Sequence, residues 1–257
     1  MNAAGDGERL PTSIGGVVDL ALEAYLERAP LFALLAGGLF AVCAAVELPW
    51  SAPNENALAI RLWVVELVEV VLIAFVVAAV AQSIAGRLAG DRPTAGALLR
   101  GALVRWPNVA FALVLVQCVL VITGPSGGLE GTLDDPVTLL LAPVVWLFWG
   151  ALSLAGPLTA LGADRGLLGA LTAIVRGLVF GFRAVNLPRM ALVALATVAP
   201  TLLEEVLYDA ASHHGLAHAA FWSAVPLDAL TVGPLAALQT AFALDFARRA
   251  TRPNRPR

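Results

Sequence analysis

Long apolar segments alternate with short polar connections along almost the whole chain. Within each segment the apolar residues form a continuous run, without the apolar–polar alternation of barrel strands, so each segment is predicted to be a helix. A helix needs about 20 apolar residues to cross the hydrocarbon core of a bilayer. Six segments approach or exceed this length, and the pattern predicts six transmembrane helices at about 31–49, 62–85, 109–123, 139–161, 190–208 and 225–246.

The composition is typical of a multi-pass membrane protein. Of the 257 residues, 59% are hydrophobic and only 14% are charged, whereas about a quarter of the residues in soluble domains are charged. The net charge of −3 offers no basic surface for nucleic acid. A soluble enzyme and a disordered chain are therefore excluded. We expect one all-α transmembrane domain at 12–249, between a flexible N-terminus at 1–11 and a disordered Arg-rich tail at 250–257.

The arginines give the predicted helices an orientation. Fifteen of the sixteen basic residues lie in four segments, at 1–29, 86–106, 163–189 and 248–257. The other connections between spans contain only Arg61. Because arginine-rich connections stay on the cytoplasmic side, we expect these four segments and both termini in the cytoplasm, and 124–136 and 207–224 outside. The predicted location is the bacterial cytoplasmic (inner) membrane.

Three amphipathic stretches precede the odd-numbered spans. They lie at about 14–28, 94–106 and 164–183, and in each the polar residues recur at helical spacing opposite apolar ones. Such helices lie in the membrane interface. The sequence therefore predicts three repeats, each an interfacial elbow helix followed by a hairpin of two spans. Five arginines of these stretches are expected to contact lipid headgroups: Arg100, Arg105, Arg165, Arg176 and Arg183.

Parts of the chain resemble a known family. In the segment PLTALGADRGLLGALTAIVRGLVFGFRAVNLPRMALVALATV (157–198) a span ends in small residues, an amphipathic helix ending in Arg-Gly follows, and another span begins. The segment at 98–120 and the closing pattern of Phe242, Asp245 and Arg248 add to the likeness. These features resemble bacterial six-helix integral membrane proteins related to the membrane domain of glycerophosphoryl diester phosphodiesterases. The resemblance implies a fold and an inner-membrane location but no activity, since the phosphodiesterase activity there belongs to a separate soluble barrel.

Acidic residues within the predicted spans form the main candidate site. Glu66 and Glu69 lie about one turn apart on the second span, close to Arg61. Four further acids lie near the outer ends of other spans: Glu47, Glu204, Glu205 and Asp228. A carboxylate in hydrocarbon costs a few kcal/mol or more, so these side chains are expected to face the bundle interior. They either line a proton or cation path that opens outward, or make polar contacts between packed helices.

Two histidines are candidate metal ligands. His214 and His218 are four residues apart, a spacing that places two imidazoles on one face of a helix, as in zinc sites. The preceding Glu204–Glu205 pair resembles the Glu-Glu motif of membrane-embedded CAAX-type proteases. That motif continues to an arginine where this chain has Asp209, and its histidines lie on later spans. An adventitious surface metal site is the alternative, and no catalytic residue is assigned.

Three functions follow from these patterns. The first is a non-enzymatic structural or accessory membrane component without a cofactor. Its expected partners are membrane lipids, and a membrane-protein partner and a homo-oligomer are both open alternatives. The second is a small transporter or channel that uses Glu66 and Glu69. The third is a membrane-embedded metalloprotease. A transporter predicts a wet cavity at the acids, a scaffold predicts a dry packed interior, and a protease predicts a glutamate and two histidines around one metal ion.

Overall fold

A computed structural model describes residues 11, 13–47, 55–123, 136–162, 166–213 and 217–251 of the chain. These residues are almost entirely α-helical, and no strand occurs within the ranges given. The helices are α1 (Ile14–Leu26), α2 (Ala29–Glu47), α3 (Glu55–Leu88), α4 (Ala95–Thr123), α5 (Pro136–Ser153), α6 (Ala155–Leu161), α7 (Gly166–Gly181), α8 (Leu187–His213) and α9 (Ala217–Thr251), with a 3₁₀ turn at Ala184–Asn186 before α8. Because α9 continues to Thr251, the first residues of the predicted disordered tail are helical.

Four to six helices of the described ranges are candidates for crossing a membrane. Four segments are long and apolar enough by themselves: Leu67–Leu88, Ala95–Val119, Leu140–Leu161 and Ala229–Arg249. Two further candidates are pairs of helices joined at a sharp bend: Ile14–Leu26 with Ala29–Cys43, and Gly166–Gly181 with Ala184–Pro200. The prediction of an all-α protein with membrane-spanning helices is therefore confirmed at this level.

The first and third predicted elbows end in sharp bends. The axes of α1 and α2 differ by 75°, and α7 is bent by 84° from the segment that begins α8. The hydroxyl of Ser13 caps α1 by accepting a hydrogen bond from the amide of Gly16 at 3.1 Å. Both elbows thus change the chain direction before the following helix, as the amphipathic patterns predict.

The second predicted elbow, at 94–106, is wrong. Residues 95–123 form the single helix α4, which contains Pro107 in its interior. The N-terminal part of α4 is fixed against α3, because the Trp106 indole N–H donates to the carbonyl of Val71 and its ring packs edge-on against Phe75. Leu98 is also buried. This burial keeps the helix continuous through the proline, so the predicted threefold repeat is not regular.

Small residues let the helices approach closely, as is common in membrane bundles. The largest core cluster of the described residues draws on most of the helices, and it contains the alanine- and valine-rich segment 74–81 of α3 together with Phe242 and Phe246 of α9. On the other side of the bundle, α7 presents Gly177 to the backbone of Ala151 in α5. The tight packing follows from the high alanine and glycine content of the chain.

One glycine tests this packing directly. A β-carbon on Gly150 would lie 2.8 Å from the Cα of Ala194, closer than real contacts allow. Gly150→Ala must push α5 and α8 apart and is expected to lower the free energy of unfolding by about 1–3 kcal/mol. The matched change Gly38→Ala, which meets no atom within 4 Å, should be neutral or slightly stabilising. Reversible unfolding in mixed micelles measures both, and equal effects would contradict the close packing.

Candidate functional site

A cavity of about 310 Å³ lies between six helices, α2, α3, α4, α5, α8 and α9. Most of its wall is apolar. Six side chains bring polar groups to the wall: Glu69, Gln117, Ser153, Thr197, Thr231 and Gln239. Among the described residues that line the cavity, Glu69 carries the one ionisable side chain. The cavity thus combines a single acid with neutral hydrogen-bonding groups.

The spacing of the lining residues follows the helical repeat. On α3, Glu69, Ile73 and Val77 are four residues apart and share the face that lines the cavity. On α9, Thr231 and Gln239 are two turns apart on the face that meets it. The structure thus places Glu69 on the face of α3 that lines the cavity, and the role of its carboxyl stays a prediction.

For the other predicted residues of this site, the structure describes the backbone but not the side chain. The backbones of Arg61 and Glu66 lie in α3, and Glu47 ends α2. Glu204 and Glu205 lie in α8, and Asp228 lies in α9. The structure thus brings Glu69 to the cavity, and the gathering of six carboxyls in one vestibule stays a prediction.

Sequence reasoning missed the neutral polar residues of the cavity. The side-chain amide of Gln239 donates to the hydroxyl of Thr197 at 3.4 Å, which links α9 to α8. The signal was available, since Gln117 and Gln239 are polar residues inside predicted spans. Such residues usually bond across helices, and their convergence depends on packing that one sequence does not reveal.

The described residues contain no group of three or more His, Cys, Asp or Glu that could hold a metal ion. The candidate ligand His214 lies outside the described residues, and only the backbone of His218 is described, in the first turn of α9. The predicted metal site and the metalloprotease that depends on it stay predictions.

Asp245 of α9 anchors a second polar cluster. Its carboxylate is fully buried and accepts hydrogen bonds from three arginines. Arg189 of α8 donates at 3.2 Å, and Arg248 and Arg249 of α9 donate at 2.6 and 2.7 Å. A buried carboxylate is stable only when it is paired and hydrogen-bonded. The bond from Arg189 therefore joins the ends of α8 and α9 beside the cavity.

Helix α1 and the residues on either side of it contact the arginine-bearing ends of two other helices. Arg87, near the end of α3, forms ion pairs with Glu23 at 2.7 Å and Glu27 at 3.1 Å. Arg248, near the end of α9, donates to the carbonyl of Pro11 at 2.7 Å. Together with the Arg189–Asp245 bond, these contacts bring the start of α8 close to the ends of α3 and α9, and we call this part of the molecule the Arg-rich end.

The cavity is well separated from the Arg-rich end. At 1.5 Å per residue, Glu69 lies about 27 Å from Arg87 along α3. Along α9, Gln239 lies about 9 Å from Asp245. The Arg189–Asp245 pair belongs to the Arg-rich end, and the cavity lies farther from the ends of α3 and α9.

The arginines predicted to contact lipid headgroups have different surroundings. Arg100, Arg176 and Arg183 are exposed, and the guanidinium of Arg183 lies 5.6 Å from the ring centre of Phe180. Arg105 is half-buried and donates to the carbonyl of Gly162, which fastens α4 to the connection between α6 and α7. Arg165 lies outside the described residues. Headgroup contact stays a prediction for the three exposed arginines, whereas Arg105 forms a hydrogen bond within the protein.

Comparisons of the chain with protein families, with curated proteins and with solved structures give no match. The functional argument therefore rests on the cavity and the polar clusters described above.

Proposed function

We propose that this chain is a multi-pass membrane protein that binds a small solute in the central cavity and moves it across the membrane. The observation that carries the proposal is the position of Glu69 on the wall of a cavity of about 310 Å³ between six helices. Ligand pockets begin at about this volume. The volume of the cavity and the acid on its wall together favour transport over the purely structural role.

Two helices that line the cavity are suited to move. Pro200 of α8 and Pro234 of α9 lack the N–H that would continue the helical hydrogen bonds, and such positions are where helices bend. Beyond the prolines, Arg189 and Asp245 tie the two helices together. Bending at the prolines with separation of this pair would open the cavity towards the Arg-rich end.

We further propose that the protein lies in the bacterial inner membrane with both termini in the cytoplasm. The distribution of arginines supports this orientation. The contacts of Arg87 and Arg248 with the segment at 11–27 also support it, because they gather the Arg-rich connections on one side of the bundle.

Accessibility of one cavity residue tests the transport proposal. In a chain with Cys43→Ala and Cys118→Ala, we expect Ser153→Cys to react with a membrane-impermeant thiol reagent from either face of oriented vesicles. The reason is that a protein that moves a solute must open its binding site to each side in turn. The labelled fraction from each side is measured after separation of the chain from lipid.

Two further variants calibrate this experiment. Leu152→Cys replaces the neighbouring residue, which is 1% exposed and does not line the cavity, and it should react from neither face. Ala97→Cys, at the exposed start of α4, should react from the cytoplasmic face alone and reports the vesicle orientation. If Ser153→Cys reacts from neither face, the result would contradict transport and favour the structural role.

A further inference from the structure

Helix α1 lies along the part of α9 that follows Pro234. At one end of the contact, the carbonyl of Pro11 accepts a hydrogen bond from Arg248 at 2.7 Å. At the other end, the ring of Tyr25 covers Gly233, where a β-carbon would lie 2.5 Å from the Cε2 atom of Tyr25. The two contact points are about 22 Å apart along α9, and the 13 residues of α1 span about 20 Å. Helix α1 therefore runs antiparallel to α9, from the C-terminal end of α9 to Pro234.

The contact between α1 and α9 is apolar and buried. Among the described helices, α9 is the one with which α1 makes most of its contacts. The α1 residues of the main core cluster recur at helical spacing and share one face: Val17, Ala21, Ala24 and Tyr25. The same cluster contains Ala237 and Phe242 of α9, which follow Pro234. The many dispersion contacts of such a packed face hold α1 on this part of α9.

Helix α1 is joined to α3 by exposed groups. Arg87 forms ion pairs with Glu23 and Glu27, and the side chains of both acids are exposed. Arg28, just after α1, donates to the carbonyl of Pro93 in the connection between α3 and α4. Exposed ion pairs contribute little because water screens them. The ion pairs of α1 with α3 are therefore weaker than its packing on α9.

Pro234 divides the part of α9 that lines the cavity. Thr231 and Val232 precede the proline, and Leu235 and Gln239 follow it. A bend at this proline would move the residues after it relative to the residues before it. Such a bend would change the cavity wall, and it would also move whatever is packed on the C-terminal part of α9.

We infer that α1 and the part of α9 after Pro234 move as one unit, and that the ion pairs of α1 with Arg87 hold this unit against α3 while the cavity is closed to the cytoplasm. This inference rests on the proposed transport function and specifies how opening of the cavity is controlled. Opening breaks the ion pairs of Glu23 and Glu27, because they are weaker than the buried contacts of α1 with α9. The strength of these ion pairs thus sets how readily the cavity opens to the cytoplasm.

Reversal of two charges on α1 tests the inference. In the reporter chain with Ser153→Cys, the double change Glu23→Arg and Glu27→Arg places positive charges beside Arg87 and repels α1 from α3. Labelling of the reporter from the cytoplasmic face of oriented vesicles should become about fivefold faster. Labelling from the outer face should not become faster. Cationic and anionic impermeant thiol reagents should both gain, because the change acts on opening and not on the charge of the reagent.

A compensating charge and a neighbouring acid provide the controls. Addition of Arg87→Glu to the double variant restores opposite charges across the contact, so labelling should return close to the rate of the reporter chain. Asp19→Arg, at an exposed position one turn before Glu23, leaves both ion pairs in place and should leave the rate nearly unchanged.

The outcomes separate the inference from the transport proposal. Equal rates in the reporter chain and the double variant, opposite effects on the two reagents, or no recovery with Arg87→Glu would overturn the inference, while labelling from each face would still support transport. A reporter that reacts from neither face in any of these chains would contradict transport, and the inference with it.

Discussion

Replacement of Asp245 by alanine is expected to lower the free energy of unfolding by about 3–5 kcal/mol. The carboxylate is fully buried, and the three arginines that donate to it are themselves mostly buried, with 11–29% of their side chains exposed. Removal of the acid takes away the negative charge to which these three arginines are bonded, and it breaks the Arg189–Asp245 link between α8 and α9. Reversible unfolding in mixed micelles, followed by helical circular dichroism, measures the loss.

An exposed acid provides the control for this variant. Glu23 pairs with Arg87, but 61% of its side chain is exposed, so solvent screens the interaction. Glu23→Ala should therefore change the free energy of unfolding by about 0–1 kcal/mol. A similar small change for Asp245→Ala would mean that the buried cluster does not hold the ends of α8 and α9 together.

Replacement of Glu69 by glutamine is expected to make reactions at the cavity wall less dependent on the charge of the reagent. With Ser153→Cys as the reporter, a trimethylammonium-bearing thiol reagent should react faster than a sulfonate-bearing one of similar size. The ratio of the two rates should fall about tenfold in Glu69→Gln, because the carboxylate and the reagent charge interact in a region of low dielectric.

A second acid shows whether the effect is local. Glu205 lies in α8, nearer the outer end of its predicted span. Glu205→Gln should therefore change the rate ratio much less than Glu69→Gln. An unchanged ratio in Glu69→Gln would show that this carboxylate does not set the charge selectivity of the cavity.

The general architecture and one residue of the site were predictable from the sequence. Continuous apolar runs identify membrane-spanning helices because length and hydropathy alone decide whether a helix can cross a bilayer. Glu69 was predictable for the same reason, since an acid in an apolar run must face the protein interior or water. The bends before α2 and α8 were predictable from the change between amphipathic and apolar patterns.

The remaining features depend on contacts between distant segments. Pro107 predicts a helix break, but packing of Trp106 on Phe75 keeps α4 continuous. The spacing of Phe242, Asp245 and Arg248 indicates no role by itself, because the interhelical partner of Asp245 is Arg189, which lies 56 positions away in the chain. The polar wall of the cavity likewise arises from single residues on separate helices, and no local pattern connects them.

The position of α1 has a consequence for the biosynthesis of the protein. This helix is synthesised before α3 and α9, but it pairs with Arg87 of α3, and the carbonyl of Pro11 accepts its hydrogen bond from Arg248, 237 positions later. During translation α1 therefore lacks these contacts until the later helices have been synthesised. Its acids can pair when α3 is complete, but Pro11 is secured only after the end of α9 has left the ribosome. The hydrogen bond from Arg248 to Pro11 is thus expected to form late in assembly, after the helices between α1 and α9 have been synthesised.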